Sequence, residues 1–212
     1  MTDLPKRSRR KDREVLRREI IEVAHKTFTS NGIKNVRMDD LASSMGISKR
    51  TLYEIFTDKE TLLIEIFWHI RKERDIYLSN VMEREGSVIA VMFALYKREL
   101  TELSSLHYNF FADLQKYPRL LELFKQIPTD YISNAYSYFT KGVEQGIFRD
   151  DINFEIVLRI MNMHKELMLY SDLNSRFSLV EVYTEIAKLH MRGITTEYGS
   201  QLFDNFLKNY KR

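Results

Sequence analysis

Apolar residues first fall into step at Leu16, Ile20, Val23, Ala24, Thr27 and Phe28, one mostly apolar stripe with Arg17, Arg18, Glu22 and Lys26 outside it. A three-to-four residue period of this kind predicts an amphipathic helix, and Asn31-Gly32 ends it. A second piece, roughly 38 to 45, turns Leu41, Ala42 and Met45 inward and carries Asp39 and Asp40 in its first turn, where carboxylates suit the positive end of the helix dipole. Gly46 closes that piece. Ser48 is a good N-cap for a third, in which Leu52, Ile55 and Phe56 share one face. Two short helices joined through Gly46-Ile47-Ser48 and braced by a longer one have the pattern of a helix-turn-helix. Lys49, Arg50, Thr51 and Tyr53 are then left on the face that would enter a major groove.

Beyond this segment the helical period persists. Thr57 and Glu60 are spaced as a capping box, with Asp58 as a competing cap. Leu62, Leu63, Ile66, Phe67, Ile70, Tyr77, Leu78 and Val81 then continue one long helix up to Gly86. Further helices are expected near 87–104, 107–116, 118–126, 128–145, 153–171, 178–192 and 196–210, with Pro118 and Pro128 at first-turn positions and a turn at Gly146–Asp151. The pattern contains no convincing strand and no internal repeat. The fold class expected is all-α.

Composition agrees with that reading, since the 212 residues contain only 7 Gly and 3 Pro. Absence of cysteine excludes disulfides, thiolate metal sites and a Cys nucleophile, and favours an intracellular setting. The basic N-terminus lacks the apolar run of a secretory signal. The longest apolar run, Val88–Tyr96, is less than half the roughly 20 residues of a membrane span. A cytoplasmic protein with no membrane partner is expected. The net charge of +3 is unevenly placed: residues 1–50 hold 13 Lys/Arg against 7 Asp/Glu, and the remainder is slightly acidic. A basic first quarter points to a polyanion, or to a solvated tail ahead of an ordinary helix.

At Gly32, Leu41-Ala42, Gly46-Ile47-Ser48, Thr51-Leu52-Tyr53, Phe56 and Asp58-Lys59-Glu60 the chain resembles the DNA-binding domain of TetR/AcrR-type bacterial transcriptional regulators. Lys141–Asp150 resembles a looser feature of that family's ligand domains. The resemblance implies an N-terminal three-helix helix-turn-helix domain joined to a C-terminal helical ligand-binding and dimerisation domain. In domain terms that gives a flexible basic arm over 1–14, the DNA-binding domain over 15–57 and the effector-binding and dimerisation domain over 58–212. The implied partners are double-stranded DNA carrying a palindromic operator, a small-molecule effector and a second copy of the chain; no cofactor is implied. One departure stands out. Arg37-Met38 replaces the family's usual Thr pair, so the hydroxyl cap of the second helix is missing.

The candidate DNA-binding residues are Arg37, Ser48, Lys49, Arg50, Thr51, Tyr53 and Lys59. Lys49 and Arg50, in the first turn of the recognition helix, are the expected base readers, because Arg can pair bidentately with guanine. Thr51 and Tyr53 match family positions that touch backbone or a thymine methyl. Lys59 matches the family's phosphate-contacting lysine, Arg37 is a phosphate candidate, and Ser48 is a cap first. The basic run Lys6–Arg18, with eight cations, reads equally as a DNA arm or as a tail.

The resemblance also places an effector pocket among the helices after residue 58, and gives Trp68, Phe93, Tyr96, Tyr108, Phe111, Tyr131 and Tyr138 as lining candidates. Helical spacing alone assigns the same aromatics to the core. Ile156, Ile160, Met163, Leu167 and Tyr170, and a second stripe of Val182, Ile186, Leu189 and Gly193, are candidates for the dimer bundle. Five scattered histidines without His-x-x-x-His or HExxH spacing give no metal site, and no GxSxG, P-loop or GxGxxG is present. The expected function is a ligand-responsive DNA-binding regulator, a repressor and not an enzyme. A constitutive DNA-binding regulator without effector, and a helical enzyme with a basic tail, are the competing readings.

Overall fold

The computed structural model describes residues 4–126 and 129–210, with the side chains of 4–11, 129–130, 165–166 and 174–175 left aside. The position expected for Pro128 lies outside the described residues. Helices follow one another as α1 (Leu4–Asn31), α2 (Met38–Ser44), α3 (Lys49–Ile55), α4 (Lys59–Glu85), α5 (Val88–Ser105), α6 (Phe110–Leu114), α7 (Pro118–Lys125), α8 (Thr129–Glu144), α9 (Phe154–Tyr170), α10 (Leu173–Arg176), α11 (Leu179–Ile194) and α12 (Glu197–Tyr210). No strand occurs among the described residues; a lone antiparallel bridge joins Phe148 to Thr195. The all-α expectation holds. The four-residue α10 was not expected, being too short to show a period.

The chain divides into two compact units, residues 1–73 with 105–121, and residues 74–104 with 122–212. This division falls elsewhere than a boundary after residue 57. It follows from contacts that periodicity does not show. In the first unit the His107 backbone N–H donates to the Thr29 carbonyl at 2.8 Å, and the Lys34 N–H donates to the Asp113 carboxylate at 2.8 Å. Arg119 forks onto Glu60 and Asp58 at 2.8 and 2.9 Å. Residues 105–121 are thereby a strap on the helix-turn-helix. The helix α1 likewise begins at Leu4, within the stretch expected as a flexible arm.

The core of the first unit is the stripe the spacing predicts. Ile20, Ala24, Phe28, Ile33, Leu41, Leu52, Phe56 and Leu62 are all but inaccessible. Burial of each large side chain contributes on the order of 1.5–3 kcal/mol. The cap at α4 goes to Asp58, whose carboxylate accepts from the Thr61 N–H at 2.6 Å, while Glu60 is committed to Arg119; Thr57 makes only a hydroxyl contact with Thr61. Burial raises the Asp58 pKa, but the Thr61 bonds and Arg119 together hold it below the ordinary range.

The second unit packs around Val88, Tyr96, Phe139, Phe148, Leu158, Met191 and Phe203. Its 145–149 turn plugs Phe148 against Phe139 and Phe154. The Arg149 N–H donates to the Ile194 carbonyl and the Thr196 N–H to the Ile147 carbonyl, each at 3.0 Å, so the turn is clasped to the α11–α12 junction.

Candidate nucleic-acid interface

Gly46 stands at φ +66°, a left-handed conformation that a side chain resists, and its N–H closes back on the Ser43 carbonyl. The chain then leaves α2 sharply, and extended Ser48 caps α3 by accepting from the Thr51 N–H at 3.0 Å. With Leu52 and Phe56 fully buried beneath α3, the opposite row of Lys49, Arg50 and Tyr53 faces solvent, Tyr53 at 44% exposure. Thr51 is half-buried, its hydroxyl 2.8 Å from that of Ser48. The structure thus brings Ser48, Lys49, Arg50, Thr51 and Tyr53 into one patch.

Arg37 is exposed at the start of α2, in extended conformation, and its side chain provides no cap. Its backbone N–H donates to the Asp40 carboxylate at 3.3 Å. That bond is the reciprocal half of a capping box, and the Asp40 N–H turns instead to the Arg37 carbonyl at 3.1 Å.

Lys59, the expected phosphate contact, has its side chain turned inward. It is half-buried, and its ammonium donates to the Ile33 carbonyl at 2.9 Å, 5.8 Å from the centre of the Phe28 ring. Burial lowers its pKa from the ordinary lysine value, against the opposing pull of Asp113 and Asp40. The cause is the packing of the α4 N-terminus on the α1–α2 turn, which puts an unfilled carbonyl within reach.

Two features escaped sequence reasoning. Lys49 Nζ lies 2.6 Å from Asp39 Oδ2, and Arg50 Nε lies 2.8 Å from Glu54 Oε1, so both expected base readers are ion-paired. The second pair carries an i, i+4 signal; the first does not. Two cations of the basic run also act within the unit. Arg13 donates to the Glu54 carbonyl at 2.7 Å, while Arg17 pairs with Glu65 and sits 4.8 Å from the centre of the Phe56 ring. Lys6 to Lys11 lie outside the described side chains.

The seven aromatic candidates are divided between the two units. Trp68, Tyr108 and Phe111 belong to the first unit, with Tyr108 exposed beside His107. In the second unit Phe93 stacks on Phe206, buried Tyr96 donates its hydroxyl to Thr184, Tyr131 lies under Arg74, and Tyr138 packs beside Leu78, Val81 and Val91. A cleft of about 180 Å³ between α9 and α11 is lined by Ile152, Val157, Ile160, Leu189, His190, Gly193 and Ile194. An open depression of about 530 Å³ runs along Asp150–Glu155 beside Tyr136. None of the seven lines either one. Among the described residues no group of three or more metal-ligating side chains converges, and no helix is long and apolar enough to cross a membrane.

Helices α1 to α3 thus form a helix-turn-helix whose outward polar row has the shape that enters a major groove. Residues 20–66 match the model of bacterial regulatory proteins, tetR family. An HTH-type transcriptional regulator of Staphylococcus aureus (strain USA300) is 37% identical over 71 residues, which are 34% of this chain and 37% of that protein. The chain therefore matches only about a third of the length of these curated relatives. Two solved structures share the fold. One, described as the molecular basis for control of antibiotic production by a bacterial hormone, has a TM-score of 0.63 at 17% identity and covers 85% of this chain and 98% of its own. The other, a transcriptional regulator from Saccharomonospora viridis in complex with choline, has a TM-score of 0.59 at 20% identity and covers 87% and 100%. Residues 20–66 are thus similar to the tetR-family segment of bacterial regulatory proteins, and the relatives matched over that stretch are HTH-type transcriptional regulators.

Proposed function

We propose that the chain acts in the cytoplasm as a homodimeric repressor, gripping a palindromic operator and released from it by a small organic effector. The observation that carries this reading is the outward row Lys49, Arg50 and Tyr53 above fully buried Leu52 and Phe56. Arg50 and Lys49 read base edges, Tyr53 and Thr51 seat the helix, and Arg37 meets phosphate. One short recognition helix touches too few base pairs for tight specific binding, so two are needed. A surface for pairing is available: Ile156, Ile160, Met163, Leu167 and Tyr170 on α9, and Leu189 on α11, are each more than two-fifths exposed. Of the second stripe, Val182 is spent in the core.

Release is mechanical in this account. The helix α4 is continuous from the DNA-binding segment into the body, so an effector that displaces its later turns changes the separation of two recognition helices. Half-sites recur about 34 Å apart, and a shift of a few ångströms spoils joint docking. The similar fold of a choline-bound regulator supports a small-molecule site in the body. The commitment of Phe93 and Tyr96 to aromatic packing favours a second reading, a constitutive regulator without effector.

Selection of bound duplexes from a random pool, followed by a compound screen on the selected operator, tests both. A compound that raises the melting temperature and weakens operator affinity supports the effector reading. Equal operator affinity at saturating compound removes it. Failure to enrich any duplex removes DNA binding itself.

A further inference from the structure

The reading surface is less cationic than its lysine and arginine suggest. Between Arg37 and Phe56 three cations, Arg37, Lys49 and Arg50, are matched by three carboxylates, Asp39, Asp40 and Glu54, and the segment is net neutral. Asp40 is turned to the Arg37 backbone. The other two stand on the exposed face, Asp39 at 41% and Glu54 at 57% side-chain exposure, each holding one reading cation. Arg13 fixes the backbone at Glu54 through its carbonyl. Exposed pairs like these contribute little to folding, and although Asp39 also suits the N-terminal end of α2, Glu54 lies in the last turn of α3, where the helix dipole disfavours a carboxylate.

We propose that Asp39 and Glu54 are specificity-determining residues of the DNA-reading surface, and that they act by penalising any duplex that offers only phosphates. The inference rests on the DNA-binding reading above. Phosphate attraction is indiscriminate and grows with every free cation, whereas base-edge contacts distinguish sequences. A lysine or arginine already paired gains less from a phosphate, and its carboxylate partner repels that phosphate directly. At a matched site the base-edge contacts offset these costs, and a duplex that offers only phosphates lacks that offset. With its Nε on Glu54, Arg50 still has its two terminal nitrogens for the O6 and N7 of guanine, so the pair aims the guanidinium without occupying it. Indiscriminate attraction is left to Arg37 and to basic residues outside the segment.

The isosteric variants Asp39→Asn and Glu54→Gln of the full chain test this, with operator and random-sequence duplexes titrated across a salt series. For each variant the random duplex should bind about three- to tenfold more tightly, with operator affinity changed less and the specificity ratio lowered accordingly. The salt slope on random duplex should steepen by roughly one per protomer. An equal shift on both duplexes, or no shift on either, overturns the assignment while leaving DNA binding intact. A wild-type chain that binds no duplex overturns the assignment and the reading beneath it.

Discussion

A lysine at the start of a helix can reach out to a phosphate or back to a carbonyl, and Lys59 takes the Ile33 carbonyl. Lys59→Met should therefore lower stability by about 1–2 kcal/mol in denaturant unfolding, the cost of an unfilled half-buried carbonyl, and leave the operator salt slope unchanged. A slope flattened by about one would restore the phosphate role. Asp113, 5% exposed, makes the opposite use of charge. Burial raises its pKa, but the Lys34 N–H and Lys116 outweigh burial and hold it below the ordinary 3.8. A depressed carboxylate pKa stabilises the fold above the unfolded value, and that contribution fades as pH falls through the folded value. Asp113→Asn should thus cost about 1–2 kcal/mol near neutral pH, with the gap to wild type closing as pH drops below 3.8. Of the site residues, Lys49, Arg50 and Tyr53 were legible because a period that buries Leu52 and Phe56 must expose them. Lys59 was not, since its direction depends on a turn 26 positions away.

Among the elements, the helices themselves were readable and their partnerships were not. α2, α3, α9 and α11 each carry a cap or a stripe in the sequence, and the structure starts them at Met38, Lys49, Phe154 and Leu179 as spacing requires. The strap of residues 105–121 left no local trace. Its bonds to Lys34, Thr29, Glu60 and Asp58 join residues 59 or more positions apart. Arg119→Ala removes the fork that ties α7 to the start of α4, and should lower the melting temperature of the first unit slightly, because the guanidinium is exposed and its partners are only partly shielded from water. In the second unit the α12 backbone crosses the turn so closely that a Cβ at Gly199 would lie 2.3 Å from the Ile147 carbonyl oxygen. Gly199→Ala should cost about 1–3 kcal/mol, read as a lower melting temperature, since a backbone obstacle cannot rotate aside. Unchanged melting would mean that the turn is free to yield.

For the whole molecule, the proposed operator recognition depends on pairing. The stripe of Ile156, Ile160, Met163, Leu167 and Tyr170 was legible as apolar spacing, but spacing could not distinguish core from interface. Their exposure, with Leu158, Met168 and Leu169 taking the inner face of α9, sets the stripe outside the core of the single chain. Met163→Glu should convert a dimer to a monomer in sedimentation, keep its helical content, and bind the operator at least tenfold more weakly.

The most direct measurement is a fluorescence titration of the full chain, at moderate salt, against its own selected duplex and a random one. One dimer should span two half-sites a helical turn apart and prefer its own duplex over the random one by about 10³ or more. That preference should be lost in Arg50→Ala and Tyr53→Ala without change in melting temperature. Equal binding to every duplex, or full operator preference in both variants, would contradict operator recognition by these residues.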